Sequence, residues 1–565
     1  MVDLKGRPFY LKDEDIDWIK ATIKNMSMEE KIGQLFCMNI RDYSDEMLDY
    51  MFDAMKVGGV MYRQGELDSM LAFTQKLQGR SSVPVLIAAN LEKGGEDVVK
   101  GGTQVGSEMA VAATQDEAFA EKLGTVCGRE GRAAGVNWAF APIIDIDYNF
   151  RNPITNTRTF GSDPDTVARM GSAYVRTIQE HKIAACIKHF PGDGLDERDQ
   201  HLVSSINDFS CEEWDATYGK VYQACIEAGA LTCMVGHILQ PAYTRRFHPQ
   251  VRDEEIMPAT LSREIMTDLL REQLKFNGLI CTDSSTMNGF SIPMDRSEAV
   301  PLSIACGADM FLFSRNMKED FEYMKAGIEK GIISAERLEE ALTRILAVKA
   351  ALGMHKGVEV PALHQAEKVI GCEEHKKWAE ECSDQAITLV KEESGILPIT
   401  PKRYKRILFY PIENKESHGF YAHSGVGRKV KEMLEQEEFE VTVFEPDPNF
   451  EGFTKPVRQY KENFDLCLYV INLATMSNQT VVRIEWQQPM GANCPRFMSV
   501  IPTVAVSTGN PYHLLDMPRV RTYINTYGSN DETLKMLVDK LLGRSKFKGV
   551  SPVDAFCARW DTQLK

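Results

Sequence analysis

Short apolar runs recur along the first 313 residues of the chain, and each is followed by a stretch with the pattern of an amphipathic helix. Because the runs are apolar at successive positions, both faces of each predicted strand are expected to be buried, as in a parallel sheet that helices cover. Eight strand–helix units predict an α/β fold, a (β/α)8 TIM-like barrel. The runs occupy residues 35–38, 59–62, 85–89, 136–141, 184–187, 231–235, 279–282 and 310–313.

A second and smaller pattern of the same kind occupies the C-terminal part of the chain. A helical pattern over 335–352 closes the barrel region, and the polar stretch after it is typical of a linker with some helix. Strand-like runs at 406–410, 439–444, 466–471 and 503–507 then predict a smaller α/β sandwich domain. We therefore predict three parts: the catalytic barrel over 1–355, a linker over 356–383 and the sandwich over 384–565.

Composition narrows the class of protein. A hydrophobic content of 43% and a charged content of 26% are typical of a soluble globular protein. The formal net charge of −16 argues against affinity for nucleic acid or for an anionic membrane. The sequence shows neither a secretory signal nor a run of about 18 apolar residues. The 13 cysteines form no C-x-x-C pair, which favours reduced thiols and a cytoplasmic protein.

The stretch richest in candidate chemistry follows the fifth run and reads KHFPGDGLDERDQH, from Lys188 to His201. Lys188 and His189 stand where a buried strand is predicted to end. Asp199 and His201 are two residues apart, so both side chains can point to one side of an extended segment. A carboxylate that binds one imidazole nitrogen fixes the tautomer and leaves the other nitrogen for proton transfer. Taken alone, the D-x-H spacing also fits a pair of surface loop residues.

An aspartate ends the seventh run. Asp283 follows Gly278-Leu279-Ile280-Cys281-Thr282, and a carboxylate at the end of a buried strand is costly unless it is hydrogen-bonded or functional. By itself the position fits a helix N-cap as well as a catalytic group. In a barrel of this type, catalytic residues lie at the carboxyl ends of the strands. The residues that the predicted strands place there are Asn90, Lys188, His237 and Asp283.

Together these motifs resemble glycoside hydrolase family 3, and within it the β-N-acetylglucosaminidase branch. That branch reads K-H-F-P-G-H-G followed by D-S-H, and the stretch from Lys188 to His201 differs from it at two positions, with Asp193 in place of His and Gln200 in place of Ser. The segment 152–164 resembles the family's N-P-x-x-x-x-R-[ST]-F-G-x-D-P, and residues 258–278 are similar to the lead-in to its catalytic aspartate. The resemblance covers most of the chain and is strongest over 27–310.

The resemblance implies a retaining mechanism with a covalent intermediate. Asp283 falls on the position of the nucleophile, His201 on that of the acid/base and Asp199 on that of the residue that orients the histidine. The implied sugar-binding residues are Lys188, His189, Arg158 and His237. For two of these a structural role stays open: Arg158 could pair with Asp163 to hold its loop, and His237 could be a core residue.

One departure from the family concerns the sugar. The strand that usually ends in D-Q-E-G-G here reads Ala89-Asn90-Leu91-Glu92-Lys93-Gly94-Gly95, so Asn90 replaces the aspartate that grips a distal hydroxyl. An amide lacks the charge-assisted strength of a carboxylate. Glu92 is the candidate that could take over this contact. Together with Asp193, the departure leaves the identity of the sugar open, while the reaction type is less affected.

The resemblance therefore implies a retaining exo-β-glycosidase, foremost a β-N-acetylhexosaminidase that hydrolyses terminal β-linked N-acetylglucosamine from a small-molecule or oligosaccharide substrate. Neither a metal nor an organic cofactor is expected. Three alternatives stay open. The enzyme could act as a β-glucosidase or β-xylosidase, or it could release sugar 1-phosphate, because a neutral histidine does not repel phosphate. The chain could also be a carbohydrate-binding protein on a hydrolase scaffold. The sequence does not predict the oligomeric state.

Overall fold

Among the residues that the structure describes, the first domain has ten strands, and eight of them form one parallel barrel. In chain order they are β1 Phe36–Asn39, β2 Gly59–Met61, β3 Leu86–Ala89, β4 Trp138–Ala139, β5 Ala184–Phe190, β6 Ser205–Ile206, β7 Thr232–Val235, β8 Ile238–Leu239, β9 Leu279–Thr282 and β10 Phe311–Leu312. In the computed structural model, which describes residues 2–40, 42–414, 425–445 and 456–564, the sheet order is β10-β1-β2-β3-β4-β5-β7-β9. A bridge between Cys281 and Met310 joins β9 to β10. The predicted (β/α)8 barrel is confirmed.

Helices cover the outside of the barrel, and several begin at caps that the sequence supplies. The Ser27 hydroxyl accepts the N–H of Glu30, and the Glu30 carboxylate accepts the N–H of Ser27, a capping box. The helical segments of this domain are Asp13–Asn25, Met28–Gln34, Asp45–Asp49, Tyr50–Met55, Leu67–Arg80, Gly95–Asp97, Glu108–Ala113, Glu117–Ala133, Asn156–Arg158, Pro164–Glu180, Cys211–Trp214, Asp215–Gly219, Lys220–Glu227, Pro241–Phe247, Asp253–Glu255, Ala259–Leu261, Glu264–Gln273, Asn288–Ser291, Arg296–Cys306, Met317–Glu329, Ala335–Ala351 and Met354–Lys356.

In the described part of the second domain, six strands form one sheet with apolar side chains packed on both of its faces. Its strands are β11 Thr388–Lys391, β12 Arg406–Glu413, β13 Glu440–Val443, β14 Leu466–Asn472, β15 Thr503–Ser507 and β16 Thr522–Asn525, and its helical segments are Val426–Gln436, Val457–Asn463, His513–Leu515, Asp531–Leu541 and Asp561–Gln563. The order is β11-β16-β15-β14-β12-β13, with β11 antiparallel to β16 and the other pairs parallel. Separate apolar clusters lie on the two faces of the sheet, so the predicted α/β sandwich is confirmed.

The segment predicted as a linker is largely helical and joins the two domains. It contains helices Leu363–Ala366 and Glu373–Ala386, and the second of these packs against Glu108–Ala113 of the barrel domain and Asp531–Leu541 of the sandwich. Side chains also connect the domains directly. Ser107 Oγ donates to the carbonyl of Tyr527 at 2.7 Å, and Asn530 Nδ2 donates to the carbonyl of Gln104 at 2.7 Å. The sandwich is therefore docked on the barrel by both packing and hydrogen bonds.

Two expectations from the sequence concerned the cysteines, expected to be reduced, and membrane-spanning segments, expected to be absent. All 13 cysteines are free, and most of them are buried. Inside the barrel, Cys186 and Cys281 lie with their sulfur atoms 3.8 Å apart, and burial raises the pKa of the Cys281 thiol well above its ordinary value. These thiols therefore pack as small apolar groups. Within the described ranges, no helix has both the length and the apolar composition that a bilayer span requires.

Candidate active site

Asp283 is the first residue after β9, at the carboxyl end of the barrel. Its N–H donates to the carbonyl of Val235 in β7 at 2.8 Å, so hydrogen bonds between strands fix its backbone. Its Oδ1 accepts the N–H of Ser284 at 2.6 Å. Burial by itself would raise the pKa of Asp283, but nearby imidazoles and the Ser284 N–H hold it below the ordinary value of 3.8. The carboxylate is therefore an anion at neutral pH, as a nucleophile must be.

His189 lies between Asp283 and a second, fully buried carboxylate, that of Asp145. Asp145 Oδ2 is 2.7 Å from His189 Nδ1, and Asp145 Oδ1 accepts the N–H groups of His189 and Asp193 at 3.0 and 2.8 Å. On the other side of the ring, His189 Nε2 lies 3.9 Å from Asp283 Oδ2. A carboxylate on one ring nitrogen fixes the orientation of the imidazole. Asp145 therefore positions the His189 ring against the Asp283 carboxylate.

The sequence argument missed Asp145. It lies six residues after β4, in Ile143-Ile144-Asp145-Ile146-Asp147, where two aspartates alternate with isoleucines. Both aspartates are buried. Asp147 accepts hydrogen bonds from Thr155 Oγ1 and from Tyr512 Oη of the sandwich, each at 2.5 Å. Acidic residues at alternate positions just beyond a buried strand are the signal that would have found this segment.

Glu92 is buried between two cations. Its Oε1 accepts from Lys188 Nζ at 2.8 Å and from Arg158 Nη2 at 2.8 Å, and its Oε2 accepts from Arg158 Nε at 3.1 Å. Burial would raise the pKa of Glu92, but the charges of Arg158 and Lys188 outweigh it and hold the pKa well below its usual range. The alternative that Arg158 pairs with Asp163 is wrong, because Asp163 instead caps the helix Pro164–Glu180.

Asn90 directly follows β3, two residues before Glu92, and is half-buried. Within the described residues its side chain has no hydrogen-bond partner. The turn that follows is fixed by Asp97, whose Oδ2 accepts the N–H groups of Glu92 and Lys93 at 2.7 and 2.6 Å. The structure thus leaves the Asn90 amide free for a ligand, while Glu92 is held by Arg158 and Lys188.

A buried acid lies near the same cations. Glu108 accepts the N–H of Ile143 through Oε1 at 3.0 Å, and its Oε2 has no partner among the described residues. Burial raises the pKa of Glu108 well above its ordinary value of 4.5, and the charge of Glu92 adds to this effect. Burial and the Glu92 charge therefore favour the protonated form of Glu108.

Asp199 and His201 form the pair that the sequence predicts. Asp199 Oδ1 is 2.7 Å from His201 Nδ1 and also accepts the N–H of His201 at 2.8 Å. The Asp199 side chain is fully buried, whereas that of His201 is 26% exposed. His201 Nε2 has no partner within the described part of the chain. The second carboxylate oxygen, Asp199 Oδ2, accepts the backbone N–H of Asn478 from the sandwich domain at 2.6 Å. This contact was not predicted from the sequence.

Asp193 and Gln200, the two residues that differ from the family loop, are hydrogen-bonded to each other. Gln200 Nε2 donates to Asp193 Oδ2 at 3.1 Å, and Gln200 Oε1 accepts the N–H of His237 at 2.7 Å. Asp193 Oδ1 accepts from Asn152 Nδ2 at 2.8 Å. Burial, together with the charge of Asp145, raises the pKa of Asp193 to about 7. Asp193 and Gln200 therefore hold the loop against the segment that follows β7, and both are buried.

His237 is buried, and protein atoms partner both of its ring nitrogens. Nδ1 is 2.8 Å from Thr260 Oγ1, and Nε2 is 3.0 Å from the carbonyl of Ser284. Burial lowers the pKa of His237 below its ordinary value, so the ring is neutral. A neutral ring has one donor and one acceptor, and since only Nε2–H can bond the carbonyl, Nδ1 accepts from Thr260. His237 thus holds the backbone beside Asp283.

An anionic aspartate at a strand end and a carboxylate-supported histidine on a nearby loop lie together in one parallel barrel. A glycosidase that works by double displacement at an anomeric carbon needs groups of these two kinds, a carboxylate and a proton donor. A sequence model of the family described as "Glycosyl hydrolase family 3 N terminal domain" matches residues 27–348, more than half of the chain. The chain belongs to glycosyl hydrolase family 3, and it is a β-glycosidase rather than a binding protein without activity.

Three known proteins are similar to this chain over most or all of its length. It is 51% identical over 565 residues to "Beta-N-acetylglucosaminidase/beta-glucosidase" of Cellulomonas fimi, with 100% of both chains covered. The solved structure of "Beta-glucoside phosphorylase BglX" has 46% identity and a TM-score of 0.93 and covers 99% of each chain. A glycoside hydrolase family 3 β-N-acetylglucosaminidase from Paenibacillus sp. str. FPU-7 has 24% identity and a TM-score of 0.79, with 94% of this chain and 100% of the other covered, and shows the fold alone.

Proposed function

We propose that this protein is a retaining exo-β-glycosidase that takes terminal β-linked N-acetylglucosamine, and after it glucose, onto Asp283 and then passes the sugar to inorganic phosphate in preference to water. The observation that carries the proposal is the acid/base unit. Its carboxylate, Asp199, is buried and hydrogen-bonded at both oxygens, and its partly exposed member is a histidine. Hydrolysis is the second candidate, and it shares the first chemical step.

In the first step the Asp283 carboxylate attacks the anomeric carbon while His201 Nε2–H protonates the departing glycosidic oxygen. The carbon–oxygen bond to the aglycone breaks, and a glycosyl ester on Asp283 forms. Asp199 supports the imidazolium through the 2.7 Å contact to Nδ1. The lowered pKa of Asp283 favours the charged nucleophile in the free enzyme.

In the second step an acceptor oxygen attacks the same carbon and releases Asp283, with net retention after two inversions. Water must lose a proton to neutral His201. Phosphate already carries negative charge, so it needs less help from a base, but a bare carboxylate at the acid/base position would repel it. Here that position holds an imidazole, and the carboxylate behind it is buried. The similarity to a β-glucoside phosphorylase over 99% of both chains supports phosphate as the acceptor.

Sugar contacts are assigned to the strand-end residues. Lys188 and Arg158, oriented by Glu92, would donate to ring hydroxyls, and His189 would face the sugar from beside Asp283. Asn90 would bond a distal hydroxyl through its free amide. The D-x-H loop and the name of the Cellulomonas relative support N-acetylglucosamine as the first donor and glucose as the second. To His237 we assign a positioning role, because both of its nitrogens are engaged.

The test is a panel of p-nitrophenyl β-glycosides, assayed with and without phosphate. The panel includes N-acetylglucosaminide, glucoside, galactoside and xyloside. We expect the N-acetylglucosaminide to have the highest kcat/KM, p-nitrophenol release to accelerate with phosphate, and the phosphorus NMR signal of a sugar 1-phosphate to grow at the same rate. The surface variant Asp253→Asn serves as a control for charge removal away from the site.

Each part of the proposal can fail separately. Free sugar as the sole product, at a rate that phosphate does not change, would establish hydrolysis. A glucoside or xyloside with the highest kcat/KM would overturn the donor assignment and leave the mechanism in place. If His201→Ala lowered the rate equally for good and poor leaving groups, the acid/base assignment would be wrong.

A further inference from the structure

We propose that the backbone N–H of Asn478, in the sandwich domain, is the third member of the acid/base unit, so that the unit is complete only when both domains are present and docked. Asn478 acts through Asp199 and is a positioning residue. The inference rests on the proposed acid/base role of His201, which it extends to the other domain. Asp199 and Asn478 are 279 positions apart in the chain.

The first argument is the number of donors that Asp199 needs. A buried carboxylate is costly unless hydrogen-bond donors satisfy it. Both groups on Oδ1 come from His201, its backbone N–H and its ring Nδ1. Among the described residues, Asn478 N–H is the one donor to Oδ2, at 2.6 Å, a length typical of a strong bond to a charged acceptor. Without it, Oδ2 would be left unsatisfied or the carboxylate would rotate away from His201.

The second argument is that Asn478 is held in place. Its φ of 67° lies in the left-handed region, which asparagine tolerates better than most residues. The connection that carries it is fixed at both ends within the sandwich. Before it, Asn472 Oδ1 accepts from Thr508 Oγ1 at 2.6 Å, and after it, the N–H of Ile484 donates to Asp516 Oδ2 at 3.1 Å.

The third argument is the docking of the sandwich beside the same site. Tyr512 Oη donates to Asp147 Oδ2 at 2.5 Å, two residues from the Asp145 that positions His189. The N–H of Ser162 donates to the carbonyl of Pro552 at 3.1 Å. The sandwich therefore contacts the barrel at segments that also carry site residues, and the position of Asn478 relative to Asp199 is fixed by the domain interface.

The physical consequence is specific to proton transfer. Loss of the Asn478 N–H would loosen Asp199, and with it the tautomer and orientation of His201, while Asp283 would keep its backbone bond to Val235. Glycosides whose aglycone leaves without protonation would therefore react nearly as before. Glycosides with poor leaving groups, which need the acid, would react more slowly.

The experiment compares Asn478→Pro with the wild type on aryl β-glycosides of increasing leaving-group pKa. Proline has no N–H, and its φ is fixed near −65°. We expect a loss of about 10- to 100-fold in kcat/KM for the poorest leaving group and little change for the 2,4-dinitrophenyl glycoside. The loss is smaller than the ~10²- to 10⁴-fold contribution of general acid catalysis, because His201 is displaced and not removed. Asn478→Gly, which keeps the N–H and tolerates positive φ, should recover most of the loss. Thr480→Pro, an exposed position in the same connection, is the matched control and should behave like the wild type.

A double-mutant comparison separates positioning from general damage. On a His201→Ala background, Asn478→Pro should cause no further loss, because the group it positions is gone. An equal loss for every leaving group, or an additive loss on that background, would overturn the inference. If Asn478→Pro does not fold, Asn478→Val is the replacement, because a β-branched residue is strained at this φ and displaces the N–H. A wild-type profile for the folded variant would also overturn it, while the leaving-group dependence of His201→Ala would still support the proposed function.

Discussion

The two halves of the active site are built in different ways. The half on the barrel, with Asp283 and Lys188, sits on strands or one residue beyond them. The N–H of Asp283 bonds Val235, and the carbonyl of Lys188 accepts the N–H of Ile144 at 2.9 Å. The half on the loop after β5, with Asp199 and His201, has no comparable support from the sheet. It is held by the backbone N–H of Asn288, which donates to the carbonyl of His201 at 3.0 Å. Side chains, through Gln200 and Asp193, and the sandwich domain, through Asn478, also hold it.

The two halves therefore depend on different contacts for the positions of their side chains. Strand register sets the position of Asp283, the proposed nucleophile, and a barrel of eight paired strands changes register only if it unfolds. A few polar contacts between distant segments set the position of the acid/base pair, and each contact can be lost while the fold remains. We therefore expect substitutions on the barrel half to act on the chemistry of the nucleophile and the sugar, and substitutions on the loop half to act on proton transfer and on local stability.

The largest effect is expected for a substitution of Asp283, on the barrel half. Asp283→Asn removes the nucleophile without changing its size, so kcat should fall by about 10⁴-fold or more for every leaving group, as for other nucleophile replacements. The rate of p-nitrophenol release measures this. In the wild type, a 2-deoxy-2-fluoro glycoside with a good leaving group should label the peptide that contains Asp283, as mass spectrometry would show. A label on another residue would refute the assignment.

A smaller effect should follow from the cation on the barrel half. Lys188→Met removes one of the two donors to Glu92 and a proposed donor to the sugar. Because a hydrogen bond to a charged group contributes about 1.5–3 kcal/mol, kcat/KM should fall by about 10- to 150-fold. The loss should be similar for good and poor leaving groups, in contrast to substitutions of the loop half. Lys100→Met, which breaks an exposed ion pair with Glu66, is the control. A loss that grew with leaving-group pKa would remove the distinction between the halves.

The smallest expected effect concerns the stability of the loop half. The pKa of Asp193 is raised to about 7 from 3.8, so between these values the folded protein keeps a proton that the unfolded chain releases. The free energy of unfolding therefore falls as pH rises through this window. Asp193→Asn should flatten this dependence, so the difference in Tm between pH 5 and pH 8 should be smaller than in the wild type. Equal differences would show that Asp193 does not titrate in this range. Asp253→Asn should match the wild type.

The sequence predicted the barrel well because its signal is local. Each of the eight apolar runs overlaps a strand, although the runs at 136–141 and 310–313 contribute only Trp138–Ala139 and Phe311–Leu312 to the sheet. Strands β11 and β16 were not predicted. They read TLVK and TYIN, too short and too polar to stand out, and they pair with each other from opposite ends of the domain.

For the candidate site, too, local sequence patterns could be recognised and contacts between distant segments could not. Residues at strand ends and in the loop motif could be named from sequence, since they lie within recognisable local patterns. The supporting groups could not. Asp145 precedes His189 by 44 positions and Asn478 follows Asp199 by 279, so only the folded chain brings either pair together. The predicted alternative for Arg158 failed for a related reason: its partner Glu92 is 66 positions away, whereas Asp163 was the nearby acid.

The bond between Gln200 and Asp193 has a consequence for how loops of this kind can be exchanged between enzymes. Each residue differs from the related motif, yet the two form one unit, because the Gln200 amide spans from Asp193 to the backbone of His237. A histidine introduced at 193 alone would offer one acceptor nitrogen in place of the two carboxylate oxygens that accept from Gln200 and Asn152, so one of these two amides would lose its acceptor in a buried place. The two positions must therefore change together, so a path from one loop to the other by single substitutions passes through an intermediate that is worse than either end.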